Sequence, residues 1–378
     1  MHPASRLSSR RFTGFSLALA TILAGGAAAG IALGSAAPAG AATRGPSAPL
    51  AASFSVAGEL DGVAATSAGN AWAVGGTSSG QSLIAHWNGT SWKQASSSGL
   101  PAGELAAVAA TSARNAWAVG GTSSGQSLIL HWNGTSWKRV ASAGAAGGLT
   151  AVAATSAGNA WAVGDTSGGR SLILHWNGAS WKRVPGPSTA GAVYLSSVAA
   201  TSGRNAWAVG YVPTSSYGPA GLILHWNGTA WKRVPTPTPT YGKYGYALFG
   251  VAATSAATAW AVGCTDGCPL GGTPLIERWN GTSWKQASAP TTPYSLYNLR
   301  AVAASSAGNV WTVGGGGPVT AEAAATAHWN GRTWTLGKGI LDAGLMGIAT
   351  TSATSAWAVG GTTRGRTLIL HWNGKTWS

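Results

Sequence analysis

The sequence predicts an all-β protein, a seven-bladed β-propeller with four antiparallel strands in each blade. A unit of similar sequence occurs seven times, at intervals of 44 to 53 residues, which is the period expected for propeller blades. All 21 tryptophans occupy fixed positions in this unit, and the chain has 57 glycines but only 8% charged residues. Such a composition is typical of packed β-structure with glycine-rich turns, and it argues against a disordered chain.

The tryptophans form three columns, each with one member per repeat. The third member follows the second by five residues in every repeat, as in Trp132 and Trp137. The first column is Trp72, Trp117, Trp161, Trp207, Trp260, Trp311 and Trp357, and the second is Trp87, Trp132, Trp176, Trp226, Trp279, Trp329 and Trp372. We expect these side chains to fill the gaps between blades rather than to form exposed platforms for sugars.

A hairpin is predicted where strand C meets strand D. In the second repeat Asn133-Gly134 is typical of a two-residue type I′ turn, in which both central residues have positive φ. This turn would join residues 128–132 to residues 135–139. Strand alternation then places Trp132 and Trp137 on one face of the sheet and the preceding histidine on the other.

A second hairpin is predicted between strands A and B. The Ser-Ala-Arg-Asn segment at 112–115 separates strand A at 107–110 from strand B at 116–119. Strand A carries mainly alanine, and small side chains suit the crowded centre of a propeller.

The repeat resembles several known propeller families. The run Ala-Trp-Ala-Val-Gly-Gly, a variable loop, and then an aromatic residue and Trp across a tight hairpin resemble the kelch repeat of galactose-oxidase-like propellers, over residues 59–378. The hairpin at 88–92 also resembles the Asp-box turn of sialidase-like propellers, although Trp87 stands where the Asp would be. The succession of SLILHWNGTSW and LTAVAATS is similar to repeats of secreted propeller lectins, which bind fucose or other sugars between blades. Because propellers have many activities, these resemblances imply a fold more than a function.

Residues 1–42 are typical of an export signal. Arg6, Arg10 and Arg11 precede an apolar stretch at 12–33, and small residues at 37–41 offer cleavage sites. Cleavage after export by the Sec or twin-arginine route would give a secreted protein, whereas an uncleaved stretch would anchor the chain in a membrane. We therefore divide the chain into a signal peptide (1–42), a linker (43–58) and the propeller (59–378).

The linker offers a strand for ring closure. The chain ends at Ser378, one residue after the last tryptophan, whereas the other D strands continue further. Residues 54–57 are therefore candidates for extending or completing the outer edge of the last blade.

The acidic residues give little support to an enzyme. No two of the eight form a recognisable catalytic motif; they are Glu59, Asp61, Glu104, Asp165, Asp266, Glu277, Glu322 and Asp342. A glycosidase normally needs two carboxyl groups about 5–10 Å apart, and a copper oxidase would need Tyr and His ligands that converge near the axis. The sequence predicts no catalytic residue, no metal and no cofactor.

Loop lengths vary on one side of the predicted disc. Strand A to strand B spans nine residues in every repeat, as from Val63 to Trp72, and the C-to-D tryptophan pair is always five apart. The B-to-C interval instead ranges from 15 to 19 residues and the D-to-A interval from 14 to 20. Because B–C and D–A loops emerge on the same side of an up-and-down blade, one face is uniform and the other is variable.

All eight tyrosines lie in or beside these variable loops. They are Tyr194, Tyr211, Tyr217, Tyr241, Tyr244, Tyr246, Tyr294 and Tyr297. Tyrosine is enriched at recognition surfaces, because it offers a flat apolar ring and a hydroxyl at little entropic cost. We predict a ligand site here, with Lys243 and Asp266 as polar members. The alternative is that the tyrosines pack long proline-rich loops onto the disc.

Cysteine and histidine have structural explanations. Cys264 and Cys268 predict a small disulfide clip in an exported chain; they also have a spacing that two metal ligands can use, but their loop contains no further Cys or His. Histidine occupies the same strand C position in six repeats, and Arg278 replaces it in the fifth. A position repeated around the ring indicates structural hydrogen bonding rather than a metal site.

The formal net charge of +15 raises the question of an anionic partner. Basic residues recur just after the third tryptophan, as in Lys138-Arg139, where we expect an exposed edge strand that Lys protects from pairing with other chains. Protection of the edge is the simpler explanation, and a surface that binds polyanions is the alternative.

Together these observations predict a secreted, non-catalytic binding propeller that recognises an extracellular glycan or cell-surface polymer through its variable face. The alternatives are a scaffold for a secreted protein partner, and a galactose-oxidase-like or glycosidase-like enzyme. Binding in the grooves between blades is a further alternative, and it would give several equivalent sites. We expect a monomer without a specific nucleic-acid partner, and with membrane contact only if the signal is retained.

Overall fold

The computed structural model describes residues 54–142, 144, 146–189, 191–214, 218–239, 244–266, 272–290, 296–316, 323–337 and 339–378, with residues 296, 297, 316 and 323 by backbone alone. The predicted signal peptide lies outside this part of the chain. Every helix or strand element assigned within it is a β-strand.

The strands follow one another as four per repeat in the first five repeats, with a short fifth strand in the sixth and three strands in the seventh. Those of the first four repeats are β1 (Gly58–Ser67), β2 (Asn70–Thr77), β3 (Ser82–Trp87), β4 (Trp92–Gln94), β5 (Gly103–Ser112), β6 (Asn115–Thr122), β7 (Ser127–Trp132), β8 (Trp137–Arg139), β9 (Gly148–Ser156), β10 (Asn159–Asp165), β11 (Ser171–Trp176), β12 (Trp181–Arg183), β13 (Tyr194–Ser202), β14 (Asn205–Val212), β15 (Ala220–Trp226) and β16 (Trp231–Val234). Those of the last three are β17 (Tyr246–Ser255), β18 (Thr258–Thr265), β19 (Thr273–Trp279), β20 (Trp284–Ala287), β21 (Leu296–Ser306), β22 (Asn309–Gly316), β23 (Ala323–Trp329), β24 (Trp334–Leu336), β25 (Ile340–Leu341), β26 (Ala343–Ser352), β27 (Ser355–Thr362) and β28 (Thr367–Trp372).

These strands form seven antiparallel sheets, each in the order A-B-C-D, so that the predicted seven-bladed propeller is confirmed. In the sixth blade β25 pairs with the start of β23. In the seventh, Trp377 takes the place of strand D by pairing with Trp372, and Ser378 exchanges two backbone hydrogen bonds with His371. Strand D is the outer edge strand of the other six blades.

The A–B hairpin closes where the sequence predicts it, with Ser112 paired to Asn115. Strand A is longer than predicted, because it begins at Gly103 rather than near residue 107. A register shift between Leu105 and Ala107 leaves Ala106 without a partner, and every blade repeats this bulge at the same position.

The C–D hairpin differs from the predicted type I′ turn. Trp132 pairs with Trp137, so the loop contains four residues, and strand D begins at Trp137 rather than at residue 135. Only Gly134 of the Asn-Gly pair has a positive φ, at 97°. The physical reason is that the Asn133 side chain accepts the backbone N–H groups of Thr135 and Ser136, each at 3.0 Å, and so forms an Asx turn.

The core lies between neighbouring blades, where the tryptophan columns meet. Trp72 of the first blade is 1% exposed, and its ring lies 4.9 Å from Trp132 and 5.1 Å from Trp137 of the second blade, the latter edge to face. Trp357 of the last blade contacts Trp87 and Trp92 of the first in the same way. The prediction that tryptophans fill the inter-blade gaps is therefore confirmed, and each junction gains both apolar burial and aromatic contact.

Residues 54–57 lie along β28 of the last blade. Ala57 pairs with Arg366, and the Val56 carbonyl accepts the Thr367 N–H at 3.0 Å. Phe54 and Val56 pack against the core shared by blades 7 and 1. This segment therefore links the first blade to the last.

Candidate functional site

The B–C and D–A loops form the variable face. Its two kinds of loop are joined by backbone hydrogen bonds: Val193 N–H to the Gly169 carbonyl at 2.8 Å, and Tyr246 N–H to the Pro219 carbonyl at 2.8 Å. The B–C and D–A loops therefore share one face, as the sequence predicts.

One strand B position near this face distinguishes three blades from the other four. It is glycine in blades 1, 2, 6 and 7, as at Gly76, but Asp165, Tyr211 and Cys264 in blades 3, 4 and 5. Gly76 faces the Glu104 side chain of the next blade, because a Cβ placed there would lie 2.9 Å from the Glu104 Cγ. The Gly76 position therefore faces the junction with the second blade.

Tyr194 and Tyr211 form the centre of the site. They are paired across strands β13 and β14, and their rings stack with centroids 5.3 Å apart at an angle of 28°. Burial raises the pKa of Tyr211 above its ordinary value, and the nearby Tyr194 and Asp165 raise it further. Burial also raises the pKa of Asp165. We refer to Asp165, Tyr194 and Tyr211 as the tyrosine cluster; it joins blades 3 and 4 and is half-buried.

Asp165 was not among the residues selected from the sequence. The available signal was its position, since it stands where four other repeats have glycine, as Tyr211 does. A carboxyl next to two phenol rings supplies a hydrogen-bond acceptor beside a flat apolar surface.

Tyr244 and Asp266 come together in the next sector. The Tyr244 N–H donates to the Asp266 carboxylate at 2.8 Å, and the Asp266 N–H donates to the Gly245 carbonyl at 2.9 Å. Asp266 has a φ of 51°, in the left-handed region. The Tyr244 side chain is 59% exposed, so its ring is accessible on the variable face.

Tyr246 has a packing role. Its hydroxyl is hydrogen-bonded to Thr236 at 2.7 Å, and its ring lies over Gly221, where a Cβ would meet the Tyr246 Cε2 at 2.3 Å. For this tyrosine the structure favours the alternative, in which the ring holds a proline-rich connection onto the disc.

The remaining predicted site residues cannot be placed. Tyr217, Tyr241, Lys243, Tyr294 and Cys268 lie outside the described residues, and Tyr297 is described only as backbone of β21. Cys264 is fully buried and bonded in a disulfide.

The bulge of strand A in the sixth blade carries a charged residue, Arg300, that the sequence did not single out. Arg300 stands at the bulge of β21, its guanidinium lies 5.3 Å from the Phe249 ring, and burial lowers its pKa. The negative charge of Glu59 in blade 1 opposes this shift. The signal in the sequence was that Arg300 is the one cation at this repeated position, which elsewhere is Asp61, Ala106, Thr150, Ser196, Phe249 and Met346.

The histidine column is structural, as predicted. His131 stacks on Trp117 with ring centroids 4.2 Å apart, and its Nε2–H donates to the Asn115 Oδ1 at 2.8 Å. The Asn115 amide in turn donates to Thr111 at 2.7 Å. Burial lowers the pKa of all six of these histidines, which favours the neutral ring.

The junction between blades 5 and 6 departs from the other six. Trp260 lies 5.6 Å from Trp329 and 5.8 Å from Trp334, whereas the matching distances elsewhere are 4.8–5.1 Å. Here Arg278 replaces histidine, with its guanidinium 5.0 Å from the Trp260 ring. The Trp329 indole N–H has no partner, although the other six tryptophans of its column donate to a carbonyl of the A–B turn.

A groove lies at this junction. Its volume is about 700 Å³, and its lining includes Trp329, Trp334 and Arg332. A second groove, of about 340 Å³ between blades 3 and 4, is lined by Leu222, Leu224 and Arg233 among others.

Two further findings bear on function. Within the described ranges, no group of three His, Cys, Asp or Glu side chains is placed to hold a metal ion. The same residues include no helix long and apolar enough to cross a membrane.

Comparison with known proteins places the chain in the propeller class by fold alone. No family model matches it, and no curated protein matches its sequence. Among solved structures, it is similar to the BP39L lectin from Burkholderia pseudomallei, with a TM-score of 0.59, 12% identity and coverage of 85% of this chain and 97% of that one. It is also similar to YCF48 bound to D1 peptide (TM-score 0.54, 15% identity, 84% and 95% coverage) and to the WD40 repeats of RRP9 (0.52, 13%, 79% and 86%).

The protein is thus a seven-bladed β-propeller. These three structures share 12–15% of their residues with the chain, so the likeness extends to the fold alone. The kelch-like assignment of the repeat stays a prediction.

Proposed function

We propose that this protein is a secreted, non-catalytic binding propeller, and that its tyrosine cluster recognises an extracellular glycan or cell-surface polymer. The observation that carries the proposal is the stacked pair of Tyr194 and Tyr211 beside Asp165. Positions that repeat in every blade maintain the fold, whereas Asp165 and Tyr211 replace the glycine of four other blades, and Tyr194 is the one aromatic residue at its strand A position. Tyrosine rings stack on the apolar faces of sugars, and phenol and carboxyl groups hydrogen-bond to sugar hydroxyls.

The other parts of the proposal have separate support. The composition of residues 1–42 supports secretion. A non-catalytic role is supported by the cluster itself, which contains one carboxyl group, whereas hydrolysis of a glycoside normally uses two. The similar structures include a protein described as a lectin, a description that applies to that protein and is compatible with glycan binding here.

The groove between blades 5 and 6 is a second candidate site for the same ligand class. The wider spacing of its tryptophans distinguishes it from the six regular junctions. So does the indole N–H of Trp329, which has no partner although its six counterparts all donate to a carbonyl. A ligand acceptor there would complete the hydrogen bonding of a buried donor, which otherwise costs free energy.

A binding screen with reverted variants tests the proposal. The full chain is screened against glycans and bacterial cell-wall polysaccharides beside two variants. Asp165→Gly/Tyr211→Gly restores the glycine found in four other blades. Arg332→Thr restores the Thr found at Thr90 and Thr135. We expect a glycan that wild type and Arg332→Thr bind and that the double variant does not.

Binding retained in both variants contradicts the cluster as the site of that glycan. Loss of binding in Arg332→Thr alone assigns the glycan to the groove and contradicts the cluster. Absence of any glycan ligand contradicts the proposal and favours a protein partner, which a pull-down from the native secretome would then identify.

A further inference from the structure

The edge strands of blades 1 to 5 each carry one or two cations. Eight basic side chains lie on the edge strands β4, β8, β12, β16 and β20, and all eight are exposed; they are Lys93, Lys138, Arg139, Lys182, Arg183, Lys232, Arg233 and Lys285. We refer to these residues as the basic belt. None of them has an ion-pair partner among the described residues.

The acidic side chains lie elsewhere. Glu59, Asp61 and Glu104 are on strand A and Asp165 is on strand B, whereas Glu277 is buried on strand C. The other two described acids, Asp266 and Asp342, lie just after β18 and between β25 and β26. The six named D strands carry no acidic residue. Positive charge is therefore concentrated on the rim, where it is not neutralised locally.

The belt holds more cations than protection of an edge requires. Arg139, Arg183 and Arg233 pair with Leu130, Leu174 and Leu224, so each arginine shares a sheet face with a leucine at the groove to the preceding blade. Leu224 and Arg233 both line the groove between blades 3 and 4. The lysine that precedes each arginine pairs with a histidine and points to the other face. Cations thus project from both faces of each edge strand in blades 2 to 4, whereas one lysine would suffice to block pairing.

We propose that the basic belt is a docking surface for a linear anionic polysaccharide that follows the rim across blades 1 to 5. We choose this partner by charge complementarity, because arginine guanidinium groups bind carboxylates in bidentate fashion and the edge strands carry no competing acids. The geometry favours a flexible chain over duplex DNA, because the belt follows a convex rim and duplex DNA has a persistence length of about 500 Å. This surface is separate from the tyrosine cluster and does not depend on the proposed function.

The chain supplies a fold-compatible test. Arg139→Gln/Arg183→Gln/Arg233→Gln replaces each arginine with the residue that blades 1 and 5 carry at the same position, Gln94 and Gln286. The matched control is Arg114→Gln/Arg204→Gln/Arg364→Gln, which removes three exposed cations from loops and leaves the same net charge. Binding of the full chain to polygalacturonate, with uncharged dextran and duplex DNA as comparison polymers, is measured from low to high ionic strength.

We expect wild type and the control to bind polygalacturonate with an affinity that falls steeply as salt rises, and not to bind dextran. The belt variant should bind about tenfold more weakly at low salt, with an unchanged melting temperature. Equal weakening of binding in both triple variants would show that only the net charge matters, and it would overturn the proposal. Absence of binding to polygalacturonate would also overturn it. Tighter binding to duplex DNA would assign the belt to nucleic acid and also overturn it. Retained polygalacturonate binding in Asp165→Gly/Tyr211→Gly is expected, because that variant tests the tyrosine cluster alone.

Discussion

Tyr194 and Tyr211 face each other across β13 and β14, with ring centroids 5.3 Å apart and planes inclined by 28°. This contact lies in the one sector where the strand A and strand B positions near the variable face are both aromatic. In blades 1 and 2 the same pairing joins a glutamate to a glycine, as in Glu59 with Gly76. The repeat therefore sets the position of the two side chains, and Tyr211 in place of glycine creates the stacked pair.

Glu277 should make stability depend on pH. It is fully buried in β19, neither carboxyl oxygen has a hydrogen-bond partner, and burial raises its pKa from 4.5 to about 8. The folded protein therefore keeps a proton that the unfolded chain releases near pH 4.5. Stability should fall as pH rises from about 4.5 to about 8 and level off above that range, because the unfolded state binds fewer protons there. Thermal unfolding measured across this pH range checks the expectation.

Glu277→Leu should remove that dependence and raise stability by about 1–3 kcal/mol at pH 7, because it replaces an unsatisfied buried polar group. Leucine occurs at the same position in Leu130, Leu174, Leu224 and Leu370. Glu277→Gln is the control, since it cannot ionise but remains polar, so it should abolish the pH slope with less gain in stability. An identical pH slope in wild type and Glu277→Gln would show that another group titrates.

Ser355→Asn should stabilise the last blade. In five blades an asparagine accepts a hydrogen bond from the histidine of strand C, whereas the His371 Nε2 and the Ser355 Oγ both lack partners. Restoring the pair should raise the free energy of unfolding by about 1 kcal/mol, measured by denaturant titration. Asn115→Ser in the second blade is the reverse control and should lower it by a similar amount; no change in either variant would contradict the structural role of the column.

Deletion of residues 53–57 should lower the melting temperature. The deletion removes the backbone hydrogen bond between Val56 and Thr367, and it removes Phe54 and Val56 from the core between blades 7 and 1. A chain that begins at residue 53 serves as the control and should melt like the full chain. An unchanged melting temperature in the deletion variant would show that the ring closes without this segment.

The fold was predictable because the repeat gives the same information seven times. The tryptophan columns and the Ser112–Asn115 turn specify strand order and the buried faces, and the structure agrees on both. The C–D turn was predicted wrongly, because Asn-Gly fits two local conformations. The sequence pattern does not reveal that the Asn133 side chain accepts two backbone N–H groups and so selects the four-residue loop.

The site was only partly predictable. Loop-length variation singled out the connections that carry the tyrosines, yet it gave the same weight to Tyr246, whose hydroxyl is bonded to Thr236, and to Tyr211, which stacks on Tyr194. Asp165 and Glu277 each replace the residue that most other blades have at the same position of a regular strand. What these substitutions do depends on the blade that faces them, which a single repeat does not contain.

The central claim is that one sector of the variable face, rather than a repeated groove, binds the ligand. Isothermal titration of the tightest uncharged glycan from the screen measures this directly, because it gives both affinity and stoichiometry without a contribution from the basic belt. We predict one site per chain and at least a tenfold loss of affinity in Asp165→Gly/Tyr211→Gly, with Arg332→Thr unchanged. Several equivalent sites per chain, or full affinity in the double variant, would contradict the account and transfer recognition to the grooves between blades.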